Sequence, residues 1–184
     1  MGNLQKNRYD SRMKRRSFLA SLAVVSARQA APKPAMKPED IVQDWLTRWT
    51  QLDGTDATAA RFVELYAPDG VHETGPNVRQ KGPVYYEGPS DIQVMAKAFG
   101  EANSDITFRI NPSTANEKTI SLMHMADGPW GGPSVAIEFV AAYTTKKDKK
   151  RFMSTGAAFI QIQNGKIRRT RMYTPREEIS EILP

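Results

Sequence analysis

Residues 134–173 read SVAIEFVAAYTTKKDKKRFMSTGAAFIQIQNGKIRRTRMY. Apolar and polar side chains alternate with a period of two along Ser134–Thr145, Phe152–Gln163 and Lys166–Tyr173, the repeat of strands that bury one face. The charged run Lys146–Lys150 and the pair Asn164-Gly165 have the composition of hairpin turns. Upstream, Thr107–Ile110 and Thr119–Ala126 carry the same pattern, with turns at Asn111-Pro112 and Gly128–Pro133. Val71–Thr74 reads as a brief strand, halted by Gly75-Pro76.

Before these strands the period changes to that of helices. Ile41, Trp45, Leu46, Trp49 and Leu52 mark a helix opening at Pro38-Glu39-Asp40 and closing at Asp53-Gly54, with acids in the first turn. Thr55-Asp56 offers caps for a second helix over Ala57–Leu65, and Ser90 for a third running to Phe99. Pro175–Ile182 reads as a short terminal helix. Three helices followed by an antiparallel meander predict an α+β fold, a curved antiparallel sheet with the helices on one side.

The chain has 184 residues and a formal charge of +6, and the position of that charge limits the function. Within residues 1–31, Lys6, Arg8, Arg12, Lys14, Arg15, Arg16 and Arg28 stand against Asp10 alone, so the remainder has no net charge. A domain without net charge lacks the field that holds nucleic acid, so no nucleic-acid partner is expected. Cysteine is absent and the histidines are His72 and His124. Thiolate chemistry and Cys or three-His metal centres are thereby excluded, and neither a metal nor a cofactor is expected.

Lys14-Arg15-Arg16-Ser17-Phe18-Leu19, followed by apolar residues to Val25 and small residues to Ala31, resembles a twin-arginine export signal. Its apolar stretch is too short to anchor permanently in a bilayer. The expected organisation is a leader over 1–31, a Pro-rich linker over 32–38 and a single domain over 39–184, working in the periplasm or outside the cell. A mitochondrial transit peptide is the alternative reading of the same leader, and Met13 is an alternative start.

The order of Tyr66-Ala67-Pro68-Asp69-Gly70-Val71-His72-Glu73, then Tyr86-Glu87-Gly88-Pro89-Ser90-Asp91-Ile92, then Ala158–Ile167 and Tyr173 resembles the SnoaL-like branch of the nuclear transport factor 2-like superfamily. The resemblance implies a cone whose sheet wraps a pocket closed by helices, and a homodimer through the outer sheet face. It also implies a functional range that includes isomerases, cyclases, dehydratases and modules that only bind or assemble. Members that isomerise ketosteroids carry two carboxylates at positions that here fall on Thr74 and on Ala157 or Ala158, none of which ionises, so that mechanism is not expected in that form.

What remains for acid–base chemistry is histidine. His72 shares strand parity with Thr74 and is expected to face the pocket; His124 lies on the apolar face with Ile120, Leu122 and Ala126. Together they are the expected catalytic pair for an exported, cofactor-free isomerase, cyclase or dehydratase acting on a small hydrophobic substrate. Each has a plainer reading as a satisfied histidine of the core or wall, and a non-catalytic ligand-binding or dimerisation module is the alternative function. Trp45, Trp49, Thr74, Tyr85, Trp130, Arg171 and Tyr173 are the expected substrate contacts, with Trp130 on a lid. Arg168, Arg169 and Arg171 otherwise read as a charged edge strand. Glu73 is expected at the surface and Glu138 on the outer face.

Overall fold

A computed structural model describes residues 36–75, 82–111, 122–173 and 180–182. The leader, residues 32–35 of the linker, and the ends of several expected elements lie outside these residues. The elements are α1 (Pro38–Thr50), α2 (Asp56–Val63), β1 (Tyr66–Thr74), β2 (Val84–Glu87), α3 (Gly88–Ala102), β3 (Asn103–Ile110), β4 (Leu122–Met125), β5 (Ser134–Thr145), β6 (Arg151–Gln163), β7 (Lys166–Tyr173) and β8 (Ser180–Ile182). Strands 5 and 7 match the sequence reading residue for residue. Residues 180–182 form a strand on β6 rather than part of a terminal helix, because the Arg151–Met153 end of β6 lies beyond the reach of β7 and still offers backbone groups to pair.

The strands form one sheet in the order β2-β1-β7-β6-β5-β3, with β4 pairing β5 and β8 pairing β6. Both β3 and β4 run antiparallel to β5, β3 along its residues 139–145 and β4 along 134–137. They behave as one long strand interrupted by residues outside those described. The sheet departs from a pure antiparallel meander at β1, which lies parallel to β7. The Arg-rich strand β7 is therefore central, flanked by β1 and β6, and the edge-strand reading of Arg168, Arg169 and Arg171 is corrected.

Two local devices set the helices. Thr55 caps α2, its hydroxyl accepting from Thr58 N, while Asp53 accepts from the Thr55 amide and from the Thr55 and Thr58 hydroxyls at 2.6–2.9 Å. In α3 the cap position falls on Glu87, with Pro89 in the first turn, so Ser90 is already inside the helix. Arg48 bonds Asp44 and reaches across to Glu64, tying α1 to the end of α2. The inner sheet face and the helices share one core that includes Trp45, Leu46, Phe62, Ile92, Phe139, Ile160 and Ile167.

Candidate functional site

The inner face of the sheet and the helix α3 enclose a cavity of about 970 Å³. Its wall is built from aromatic rings. Trp49 packs edge-on against Phe62 and Phe99 and stacks on Phe108, which in turn stacks on Phe139, with centroids 4.8–5.8 Å apart. Tyr86, Met95, Ala141, Tyr143, Ser154 and Met172 complete most of the wall. The charged side chains in the lining are Lys147 and Asp148, at the exposed tip of the β5–β6 hairpin. The ring spacing arises from two periods meeting: Trp49 and Phe99 come from helices, while Phe108 and Phe139 are inward positions of neighbouring strands.

Behind the wall is a buried polar cluster. The Trp45 indole donates to the Tyr66 hydroxyl at 3.0 Å. That hydroxyl lies 2.9 Å from Thr170 Oγ1 and 2.8 Å from His72 Nδ1, and Thr170 Oγ1 and His72 Nδ1 are themselves 3.2 Å apart. His72 and Thr170 are fully buried. The imidazole is not part of the cavity wall; it stands behind Trp49 and Tyr86, at ring centroid distances of 5.7 and 6.3 Å. Burial pushes its pKa down to about 3, so it is neutral at physiological pH. The Tyr66 phenol is pushed up by the same desolvation, against the pull of its bonds to Thr170 and Trp45. Among the described residues, His72 Nε2, Trp49 Nε1 and Thr74 Oγ1 are buried without a hydrogen-bond partner.

The expected site residues separate into three places. Trp49 and Thr74 line the cavity. Trp45 and His72 lie in the cluster behind it. The others are elsewhere, and each departure has a structural cause. His124 does share the inner-facing register with Val135, but β4 ends beyond the core, and its imidazole is 55% exposed and bonded to Glu39 Oε1 at 2.6 Å. The paired-histidine site is therefore not formed. Tyr85 pairs Glu73 across β1–β2 and is 47% exposed on the outer face, leaving its neighbour Tyr86 to line the cavity.

Arg171, Tyr173 and Trp130 also belong to the outer face. The Trp130 ring lies between the guanidinium groups of Arg169 and Arg171, 5.5 and 5.4 Å from its centroid, so the loop after β4 is clamped to the outside of β7 instead of closing the cavity. Arg171 pairs with Glu73 at 2.8 Å. Glu73 is only 3% exposed, contrary to its surface reading, because Arg171 matches its charge; Glu138 is exposed on the outer face as expected. The parity error on β7 has one source. Ile167 pairs Ile162 and Arg169 pairs Gln161, so Arg168 is an extra residue in the ladder and alternation shifts by one within the strand.

The sequence reading missed Tyr66 and Thr170 as partners of His72. Their signal was faint: a phenol that opens the Tyr66–Glu73 motif, and a threonine whose inward orientation depends on the β7 irregularity. Among the described residues, no group of three or more His, Asp or Glu side chains is placed to hold a metal.

The sheet and helices thus define an open α+β cone around a small-molecule-sized cavity. A family model for the SnoaL-like domain matches residues 42–170, and the chain belongs to that family. Solved structures share the fold at low identity. A protein of ketosteroid isomerase-like fold from Catenulispora acidiphila, in complex with trimethylamine, is 17% identical, with a TM-score of 0.58 over 78% of this chain and 91% of its own. The epoxide hydrolase/cyclase-like enzyme SalBIII of pyran ring formation in salinomycin is 16% identical, TM-score 0.56, over 78% and 95% of the two chains. A scytalone dehydratase candidate from Novosphingobium aromaticivorans is 10% identical, TM-score 0.55, over 79% and 85%. No curated protein sequence matches.

Proposed function

We propose that this protein binds a small, uncharged, ring-bearing molecule inside the cone. The observation that supports this reading is the cavity itself, whose walls are aromatic and whose charged lining is confined to Lys147 and Asp148 at its rim. An ion seated among those rings would lose its hydration without a matching charge, a cost of several kcal/mol. Flat neutral molecules gain from the same rings. Titration of the chain with neutral cyclic compounds, followed by tryptophan fluorescence and melting temperature, is expected to give saturable binding that Ala141→Phe abolishes. Absence of saturation with every compound, or binding unaffected by Ala141→Phe, would overturn it.

A second reading, acid–base chemistry of the isomerase, cyclase or dehydratase type, is favoured by one observation, the Nε2 of His72 behind the wall, which has no partner among the described residues. Turnover of a bound carbonyl compound that is lost in His72→Gln while binding persists would support it; turnover unchanged by that substitution would remove it. Export rests on the leader motif at residues 14–31, and a homodimer on the outer sheet face, where Tyr85, Met123, Met153 and Tyr173 are exposed. Fractionation of cells carrying the full chain, and sedimentation of the folded domain, test these two proposals; a cytoplasmic product and a monomer at all concentrations are the results against them.

A further inference from the structure

Of the buried polar residues, Asn103 and Ser154 line the cavity. Asn103 is committed to the fold: its side-chain amide donates to the Phe99 carbonyl at 2.9 Å, closing the end of α3. Ser154 has no such task. It is 4% exposed on the inner face of β6, a strand with neighbours on both sides, and no hydrogen bond joins its hydroxyl to any described residue. Trp49 Nε1 and Thr74 Oγ1 are sealed within the wall, whereas the Ser154 hydroxyl is open to the cavity. Further along the same inward face of β6 stand Gly156, Ala158 and Ile160. Alanine would fill position 154 as well as serine does, so the hydroxyl is a group that the packing does not use.

The surroundings shape a slot over this hydroxyl. Across the ladder Ser154 pairs Ala141, so that row of the wall holds two small side chains. Two residues along each strand, Tyr143 pairs Phe152 and their rings stack at 5.9 Å. In the opposite direction Phe139 pairs Gly156, where a Cβ would come within 2.7 Å of the Phe139 ring. The ring therefore lies over bare glycine backbone. Each aromatic row is about 7 Å from the Ser154–Ala141 row, at about 3.4 Å per residue. Phe139, Ala141, Tyr143, Phe152 and Ser154 all line the cavity.

We infer that Ser154 is the hydrogen-bonding contact of the cavity: a flat ring enters between the two aromatic rows and sets one uncharged oxygen, a hydroxyl or a carbonyl, on the Ser154 hydroxyl. A serine hydroxyl both donates and accepts, so it serves either kind of oxygen. It does not serve a charge. The charged lining residues, Lys147 and Asp148, stand on the hairpin beyond the end of β5 at Thr145, so a carboxylate or ammonium group at Ser154 would be buried without a counter-charge. The inference rests on the proposed binding function and adds to it the place where the ligand's oxygen lies.

The unliganded chain gives the first test. Ser154→Ala removes a hydroxyl without a protein partner, so its melting temperature is expected to equal or exceed that of the natural chain. A lower melting temperature shows that the hydroxyl serves the fold and overturns the inference.

The second test uses three compounds of similar shape, indane, 2-indanol and 2-indanone, titrated calorimetrically into both chains. Ser154→Ala is expected to weaken binding of the alcohol and the ketone about fivefold to tenfold, the loss of one hydrogen bond between neutral groups, and to leave indane within about twofold. An equal effect on all three, or no effect on the two oxygenated compounds, overturns the assignment of Ser154, while the binding of indane shows that the cavity reading stands. If none of the three binds the natural chain, the binding function itself fails and the inference falls with it.

Discussion

At the scale of single residues, His72 dominates the pH behaviour. Its folded pKa of about 3 lies below the ordinary 6.5, so as pH falls the unfolded chain takes up the proton first. The stabilisation is complete above about pH 6.5 and is lost as pH falls toward 3, where the full difference corresponds to roughly 4–5 kcal/mol. Urea unfolding at pH 7 and 4.5 is expected to show that His72→Gln removes roughly 2–3 kcal/mol of the natural chain's loss of stability over that interval. Equal pH dependence in both chains would mean that the imidazole is not held neutral. The other histidine offers a contrast. His124 bonds an exposed Glu39 outside the cavity, so His124→Ala is expected to leave ligand affinity unchanged within twofold in the same fluorescence titration.

Among the elements, the junction of helices and the clamp on β7 give separable expectations. Gly100 of α3 lies against the turn after α1: a Cβ there would come within 2.3 Å of Gly54 N and 3.0 Å of the Asp53 backbone. Gly54 itself has φ +91, a conformation that strains other residues. Gly100→Ala must therefore push backbone apart, and chemical denaturation is expected to show a loss on the order of 1–3 kcal/mol. The outer clamp is weaker. Trp130→Ala removes two guanidinium–indole contacts and is expected to cost about 1–2 kcal/mol, with ligand binding intact because the indole lies outside the cavity. A loss of affinity in that variant would restore the lid reading of the loop.

For the whole molecule, stability and occupancy are linked. A ligand that binds only the folded cone at 100 times its dissociation constant adds about 2.7 kcal/mol, so the melting temperature is expected to rise with the logarithm of ligand concentration in the natural chain and to stay flat in Ala141→Phe. The cavity exists because inward residues near α3 are aromatic rings separated by small ones. Phe108 and Phe139 alternate with Ala141 and Ser154, and the rings prop the sheet away from the helix.

Local pattern by itself determined the order α1, α2, β1, α3 and then β3–β7, the Thr55 cap, and the full extent of β5 and β7. These are set by periodicity and by short-range turn chemistry, which are properties of neighbours in the chain. Trp49 and Thr74 were legible as cavity residues through the family resemblance. Only the tertiary structure decided that β1 lies parallel to β7, that one extra residue at Arg168 turns Thr170 inward and Arg171 outward, and that His124 falls beyond the core. A one-residue slip reverses which face every following side chain occupies, and nothing local to KIRRTRMY announces it. The cluster around His72 joins residues from α1, both ends of β1 and β7, with bonded partners up to 104 positions apart.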